Sequence, residues 1–289
     1  MSYLERVAAC HRWDPAAYRP LVLGTTRFGR VPHALARRLA DFPDVFTLSD
    51  RAVSLNPALA DFDSRTAAVQ EVAERLNEAG GIPRLRAEDY PVVRRWGDPP
   101  LFRINRGAAP YFGVRGFGVH VNGYVGDPEG GLEGLRLWVG KRAMDKATAP
   151  GKLDHIIAGG QPYGLGIMEN LVKEAGEEAG LAPELARRSV PVGAVSYVCA
   201  RDEGLRDDVL FCFDLQVPED VVPVNTDGEV DYFELWPMAR VLETIRDTEA
   251  FKFNVSLVIL DFAIRRGLLT PDDPDYQAIW DGLRPPTPD

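Results

Sequence analysis

Cysteine is scarce: Cys10, Cys199 and Cys212 are the whole supply in 289 residues, with no CxxC pair and no histidine at ligand spacing beside them. A disulfide framework and a zinc site are therefore not expected, and a reducing cytoplasm fits. No run approaches the roughly 20 apolar residues of a membrane span. The opening Met-Ser-Tyr-Leu-Glu-Arg has no apolar signal core, so secretion is not expected either. Basic residues are in deficit, 33 Lys and Arg against 43 Asp and Glu, and form no stripe. A net charge of −10 without clustered cations argues against nucleic acid or an anionic membrane as partner. An acidic enzyme that handles an anionic substrate needs divalent cations and a few local basic residues instead. Ser196 and Ser256 lie outside any GxSxG setting, and the glycines at 113, 116 and 118 precede no helix, which sets aside a serine triad and a dinucleotide fingerprint. Repeats are absent, and the only biased tract is the Pro-rich end at 284–289.

What is present reads as mixed α/β. Residues 1–108 form a small α/β unit: a strand at 21–24, a helix over 32–41, strands at 45–48 and 52–55, and a helix N-capped by Ser64 that buries Val69, Val72, Ala73 and Leu76 and stops at Gly80-Gly81. Residues 98–110, rich in Pro and Gly, carry no strong period and mark a seam. The second unit, 109–289, opens with an alternating strand over 111–125 whose inward side chains would be Val114, Phe117, Val119, Val121 and Tyr124. Strands at 135–140, 154–157, 189–200, 208–217 and 232–236 follow, with helices at 238–246 and 254–266.

The segment that carries chemistry is 159–181, GGQPYGLGIMENLVKEAGEEAGL. A helix over 166–179, closed by Gly180, places Glu174, Glu177 and Glu178 within about a quarter of its circumference. Leu165, Met168, Leu171, Val172, Ala175 and Ala179 form the adjacent apolar face. Carboxylates this close repel by a few tenths of a kcal/mol per i,i+4 pair. A solvated acidic face is one reading of that spacing. The other is a nest of hard oxygen ligands for Mg²⁺ or Mn²⁺, which in turn bind phosphates. Glu169 falls beside Lys173, as an i,i+4 ion-pair partner more than a ligand.

Residues 173–181, Lys-Glu-Ala-Gly-Glu-Glu-Ala-Gly-Leu, resemble the second half of the Nudix box, with Lys173 where the usual pattern has Arg. Gly159 takes the leading Gly position, Gly160 follows it, and Leu165 stands where a Glu is usual. The resemblance spans about 112–245. It implies a Nudix α/β/α sandwich with a mixed sheet, and a Mg²⁺- or Mn²⁺-dependent hydrolase that cleaves a diphosphate bond in a small molecule. On that pattern Glu174, Glu177 and Glu178 hold metal, Glu174, Glu178 or Glu229 serves the attacking water, and Gly159, Gly160, Lys173 and Gly180 shape the box. Candidates for phosphate contacts are Lys141, Arg142 and Lys152. A narrower resemblance, carried by the FGVxxxGVHVNGYV strand and the altered box, is to the Nudix branch related to domains fused to thiamine pyrophosphokinase in fungi. That branch implies hydrolysis of thiamine diphosphate, or its damaged forms, to the monophosphate.

Alternatives remain at this point: a hydrolase of ADP-ribose or dinucleotide type, and a non-catalytic sensor on the same scaffold, for which Leu165 speaks. The first unit would cover the site, set specificity or pair subunits into a homodimer. His120 reads as a satisfied strand histidine, and so does His155, for which an approach to the site from ahead of the box is the lesser alternative. Phe112, Phe117, Tyr124 and Tyr197 read as core, with one or two left to stack on a heterocycle.

Overall fold

A computed structural model describes residues 2–146 and 148–286; the last three residues of the Pro-rich end lie outside it. The first helix, α1 (Tyr3–Ala9), starts with a reciprocal cap: the Ser2 hydroxyl accepts the Glu5 N–H and the Glu5 carboxylate accepts the Ser2 N–H. A four-stranded sheet follows, in the order β2 (Thr26–Pro32), β1 (Tyr18–Leu23), β4 (Val53–Leu55), β3 (Phe46–Leu48). β1 turns into β2 through Gly24, at φ 58°. α2 (His33–Leu39) and α3 (Phe62–Glu78) pack on this sheet, and Val69, Val72, Ala73 and Leu76 are buried as the helical period requires. The N-cap of α3 is Asp61, three residues before the expected Ser64. Ser64 completes the box instead, its N–H donating to Asp61 Oδ1 (2.7 Å) and its hydroxyl oxygen accepting the Asp61 N–H. The apparently featureless stretch before 110 contains half of a hairpin, β5 (Asp89–Val92) with β6 (Phe102–Asn105). Pro91 and the shortness of both strands hide it from periodicity.

The larger sheet has seven strands. Its path is β11 (Val190–Arg201), β12 (Gly204–Gln216), β7 (Arg115–Gly126), β8 (Leu135–Arg142), β13 (Val230–Pro237); β9 (Leu153–Asp154) pairs with β8, and β10 (Ile157–Gly160) with β7. β12 runs parallel to β7 and the other pairs are antiparallel, so the sheet is mixed. The single turn α4 (Gly131–Gly134) joins β7 to β8 and the single turn α6 (Pro183–Ala186) leads from α5 to β11, and the main helices are α5 (Ile167–Ala179), α7 (Met238–Asp247), α8 (Val255–Arg265) and α9 (Tyr276–Leu283). On one face Val119, Val121, Phe213 and Leu215 meet Leu171, Ala175 and Ala179 of α5. On the other, Tyr124, Leu210 and Cys212 meet Val258 and Phe262 of α8. The result is an α/β/α sandwich.

Because helices cover both faces, β7 is buried from Gly116 through Val125 and its alternation does not separate inside from outside. Tyr124 points to the face opposite Val121, and Val114 belongs to the smaller core with Phe112. The strand expected at 154–157 is two short ones, because the chain passes from β8 to β7 between them. α9 and α1 were not foreseen. They pack on each other and on α8, bringing Val7 and Cys10 into the larger core. Among the described residues no helix is long and apolar enough to cross a membrane.

Candidate functional site

Helix α5 begins at Gly166, whose N–H donates to Glu169 Oε2 (3.3 Å), and ends at Gly180 in the left-handed conformation, φ 61°. Glu169 is thus a cap, and the i,i+4 partner of Lys173 is Glu177, at 2.7 Å. Burying Leu171, Ala175 and Ala179 against the sheet fixes the rotation of α5, and that rotation turns Glu174 and Glu178 onto β10. The Ala158 N–H donates to Glu178 Oε2 at 2.9 Å. Glu174 lies across Gly159, where a methyl group would overlap its carboxyl. Lys173 Nζ is 3.2 Å from Glu174 Oε1. Glu177, half exposed, completes the triplet at the rim.

Electrostatics separate these carboxyls. Burial, and then the neighbouring Glu174, push Glu178 up to about 8. Burial also raises Glu174, although Lys173 pulls the other way. Burial raises Glu229 too, but the hydrogen bond and charge of Lys146, with the charges of Arg106 and Arg142, together outweigh it and the carboxyl is held low. Buried Glu174 and half-exposed Glu177 share the Lys173 ammonium while buried Glu178 is held by the Ala158 N–H, so a hard divalent cation fits the donor set, and Gly159 leaves the space that a side chain would fill. Such an ion would be held by Glu174 and Glu178, with Glu177 beside them.

The loop between β10 and α5 is stapled from within. Gln161 donates its N–H to the Phe117 carbonyl (2.8 Å) and its side chain to the Leu165 carbonyl (2.8 Å), while buried Asn170 donates to the Gly160 carbonyl (2.9 Å). From the first half, the Tyr90 hydroxyl presses on Gly160 so closely that no side chain would fit there. Glu88 Oε1 lies 4.0 Å from Lys173 Nζ.

A second cluster, His120, Asp154 and His155, has ligand-type atoms within 4.8 Å of one another. Its one carboxylate is already matched by two cations: Arg142 and Lys252 pair with Asp154 at 2.8 and 3.4 Å. Burial drives both imidazoles toward neutrality, His155 down to about 4, and their Nδ1 atoms share a hydrogen bond at 3.0 Å.

A model described as "Domain of unknown function (DUF4743)" matches residues 2–116. Nudix hydrolase 24, chloroplastic, of Arabidopsis thaliana is 44% identical over 287 residues, which are 98% of this chain and 77% of that protein. The chain belongs to the Nudix hydrolase family. Nudix hydrolase 20, chloroplastic, of the same plant is 42% identical over 294 residues, with the same coverage. Among solved structures, DR0079 from Deinococcus radiodurans is 18% identical, covers 60% of this chain and 98% of its own, and superposes with a TM-score of 0.45.

In this Nudix hydrolase the residues picked from the box come together, whereas two of the three basic candidates, Arg142 and Lys152, are engaged elsewhere. Arg142 is buried, and its guanidinium donates to Asp154 Oδ2, the Ala149 carbonyl and the Thr148 carbonyl. Lys152 donates to the Glu249 carbonyl at 2.6 Å. Lys141 sits in β8 opposite Leu153 and Tyr232. Sequence reading missed Glu88, Tyr90 and Arg106, which reach the Nudix helix from more than 60 residues upstream; no local pattern marks them. Asn170 and Gln161 lay inside the quoted motif, and their polarity at buried positions was the available signal.

Proposed function

We propose that this Nudix hydrolase cleaves a diphosphate bond of a small molecule at the Glu174–Glu177–Glu178 face, with Mg²⁺ or Mn²⁺ as cofactor. The observation that carries this reading is the pair of buried carboxyls on Gly159 and Ala158, beside the Lys173 ammonium that bridges Glu174 and Glu177. A bound divalent ion supplies neutralisation of the phosphate oxygens and a water of lowered pKa. The protein's own groups supply the rest. Glu178, held by the Ala158 N–H, and Glu174, held over Gly159, fix the ligand positions. Glu229, kept ionised by Lys146, is the carboxylate suited to accept a proton from water, with Glu174 and Glu178 as the other candidates. Lys173, bridging Glu174 and Glu177, orients both. Gly160 and Gly180 leave room for Tyr90 and for the Val224 carbonyl.

Within that chemistry we favour thiamine diphosphate, or its damaged forms, as substrate, released as the monophosphate. The support is the resemblance of the altered box, together with an aromatic surface beside the site. Trp96, 37% exposed, packs on Phe117 and Phe211 with ring centroids 5.2 and 5.8 Å away, and Phe117 accepts the Gln161 N–H that starts the box loop. A homodimer, the division into units 1–108 and 109–289, and residence in the cytoplasm belong to the same proposal. Three buried, unbridged cysteines suit a reducing compartment.

Turnover of a panel containing thiamine diphosphate, ADP-ribose and a dinucleoside polyphosphate, with Mg²⁺ or Mn²⁺, decides the substrate. Glu174→Gln is expected to lower kcat by about 10²-fold or more, roughly 3 kcal/mol of barrier, with an unchanged circular dichroism spectrum. Full activity in that variant overturns the ligand assignment.

A further inference from the structure

We propose that Arg86 and Arg106, contributed by the first half of the chain, grip the phosphate oxygens of a metal-bound diphosphate from the side facing Glu174 and Glu178. The inference rests on the diphosphate reading above and names the anion-binding half of the same site.

An acidic chain that binds a diphosphate needs local cations, and two of the three sequence candidates do not offer theirs. Arg142 has donors committed to Asp154 and two carbonyls, and Lys152 to the Glu249 carbonyl. The β5–β6 hairpin provides others. Arg106 follows β6 directly. Its N–H donates to the Glu88 carbonyl (2.9 Å), its guanidinium to Glu88 Oε2 (2.5 Å), and it lies 5.7 Å above the Tyr90 ring. Tyr90 abuts Gly160, and the other oxygen of Glu88 is 4.0 Å from Lys173, itself 3.2 Å from Glu174. Arg106 therefore stands at the edge of the carboxylate nest, within its field.

Arg86 is held by its backbone. Its N–H donates to Asn105 Oδ1 (2.9 Å), its carbonyl accepts Asn105 Nδ2 (2.7 Å), and Asn105, 8% exposed, also takes the Gly107 N–H. Burying an Asn to clamp one residue fixes where that residue's side chain starts. The guanidinium is only partly exposed, and among the described residues it has no hydrogen-bonding or ion-pairing partner. Its charged neighbours are Arg84 and Arg106, which repel it, and Glu229, which attracts it. Like charges gathered in a half-closed place are unfavourable unless an anion joins them. The anion must be small and multiply charged, because Glu174, Glu178 and Glu229 line the other side. A diphosphate bridged to divalent ions meets both walls, and a planar guanidinium presents two N–H groups to two phosphate oxygens.

The test reads binding as well as turnover, with Arg86→Gln and Arg106→Gln in the full chain. Mn²⁺ is titrated alone, then methylenediphosphonate, a diphosphate that cannot be hydrolysed, is titrated calorimetrically in the presence of Mn²⁺. We expect Mn²⁺ affinity to stay within about twofold of wild type, and diphosphonate affinity to fall about tenfold or more in each variant, the range for loss of a charge-assisted hydrogen bond. KM for a hydrolysed diphosphate should rise more than kcat falls. Arg86→Gln removes no hydrogen bond or ion pair among the described residues, so it reports on the ligand even if Arg106→Gln loosens the hairpin. Unchanged diphosphonate affinity in Arg86→Gln, or no diphosphonate binding by the wild type, overturns the inference. If the probe binds through Arg86 yet no diphosphate is turned over, the hydrolase reading fails and this one stands; if diphosphates are hydrolysed with unchanged KM in Arg86→Gln, the reverse holds.

Discussion

The Glu178 carboxyl is buried between α5 and β10, and its ordinary value of 4.5 is pushed up to about 8, first by burial and then by Glu174. A proton held more tightly in the folded than in the unfolded state stabilises folding at low pH, and that stabilisation is lost as pH rises from 4.5 to about 8. Glu174, shifted in the same direction, adds to the trend. Below about pH 6.5 the buried neutral imidazoles of His120 and His155 act in the opposite sense. The metal-free protein in EDTA should therefore lose denaturant stability between about pH 6.5 and pH 8, and Glu178→Gln should flatten the slope there; a wild-type profile that rises over this window would contradict the burial of these carboxyls. Glu229 is shifted the other way, so its contribution is lost only as pH falls below the usual carboxylate range, outside that window. Gly159 acts through contact alone. A methyl there overlaps the Glu174 carboxyl, so Gly159→Ala should weaken Mn²⁺ binding and lower kcat/KM by about tenfold, about 1.4 kcal/mol, both read by titration and steady-state kinetics.

At the scale of elements, α5 joins a packing job to a chemical one. Leu171 is fully buried against Val119, Val121 and Ile157, and this contact sets the rotation of the helix and hence the aim of Glu174 and Glu178. Leu171→Ala should cost about 2–5 kcal/mol in urea unfolding, the range for an aliphatic side chain removed from a packed interior. A loss near zero would mean that α5 is not held by this face. The β5–β6 hairpin does the complementary task from the other half, bringing Tyr90 onto Gly160 and Glu88 toward Lys173. Its position relative to the box is fixed by the Tyr163 N–H, which donates to the Asp89 carbonyl at 2.8 Å. The Lys at 173 is understandable in this setting. A point charge on a flexible stem can serve Glu174, Glu177 and Glu88 at once, whereas a rigid fork suits one planar partner.

Over the whole molecule, the halves are tied by charge as well as by apolar packing. Asp207, at the start of the β12 stretch paired with β7, accepts two hydrogen bonds from Arg115 and lies 3.5 Å from Arg30 of β2; all three are largely buried. Removing a carboxylate that neutralises buried guanidinium groups is costly. Asp207→Ala should destabilise the protein by about 3–5 kcal/mol, measured by chemical denaturation. The chain also crosses back on itself. α1, first in sequence, packs with α8 and α9, so Val7 and Cys10 complete a core built by the last third. Cys10 is buried there, and burial raises its thiol well above the usual range.

Local order in the sequence was enough for the pieces that periodicity governs. The span of α5 and its stop at Gly180, the buried stripe of α3, the β11–β12 pair, α7, α8 and the carboxylate triplet all follow from spacing, because a side chain's neighbours within a helix or strand are set by geometry a few residues long. The same reasoning placed Ser64 as a cap and Glu169 as a partner of Lys173, and both differ because the competing local bonds, to Asp61 and to Gly166, are equally short-ranged. What the tertiary structure alone decided is which surfaces meet: that α1 closes the second core, that a hairpin interrupted by Pro91 covers Gly160, that Arg142 and Lys152 spend their donors inside the protein, and that Glu88 and Arg106 come up beside Lys173 and the box. An amphipathic pattern says which side of an element avoids water. It does not say which partner, 20 or 200 residues away, will cover it, since that choice depends on the packing of the whole chain.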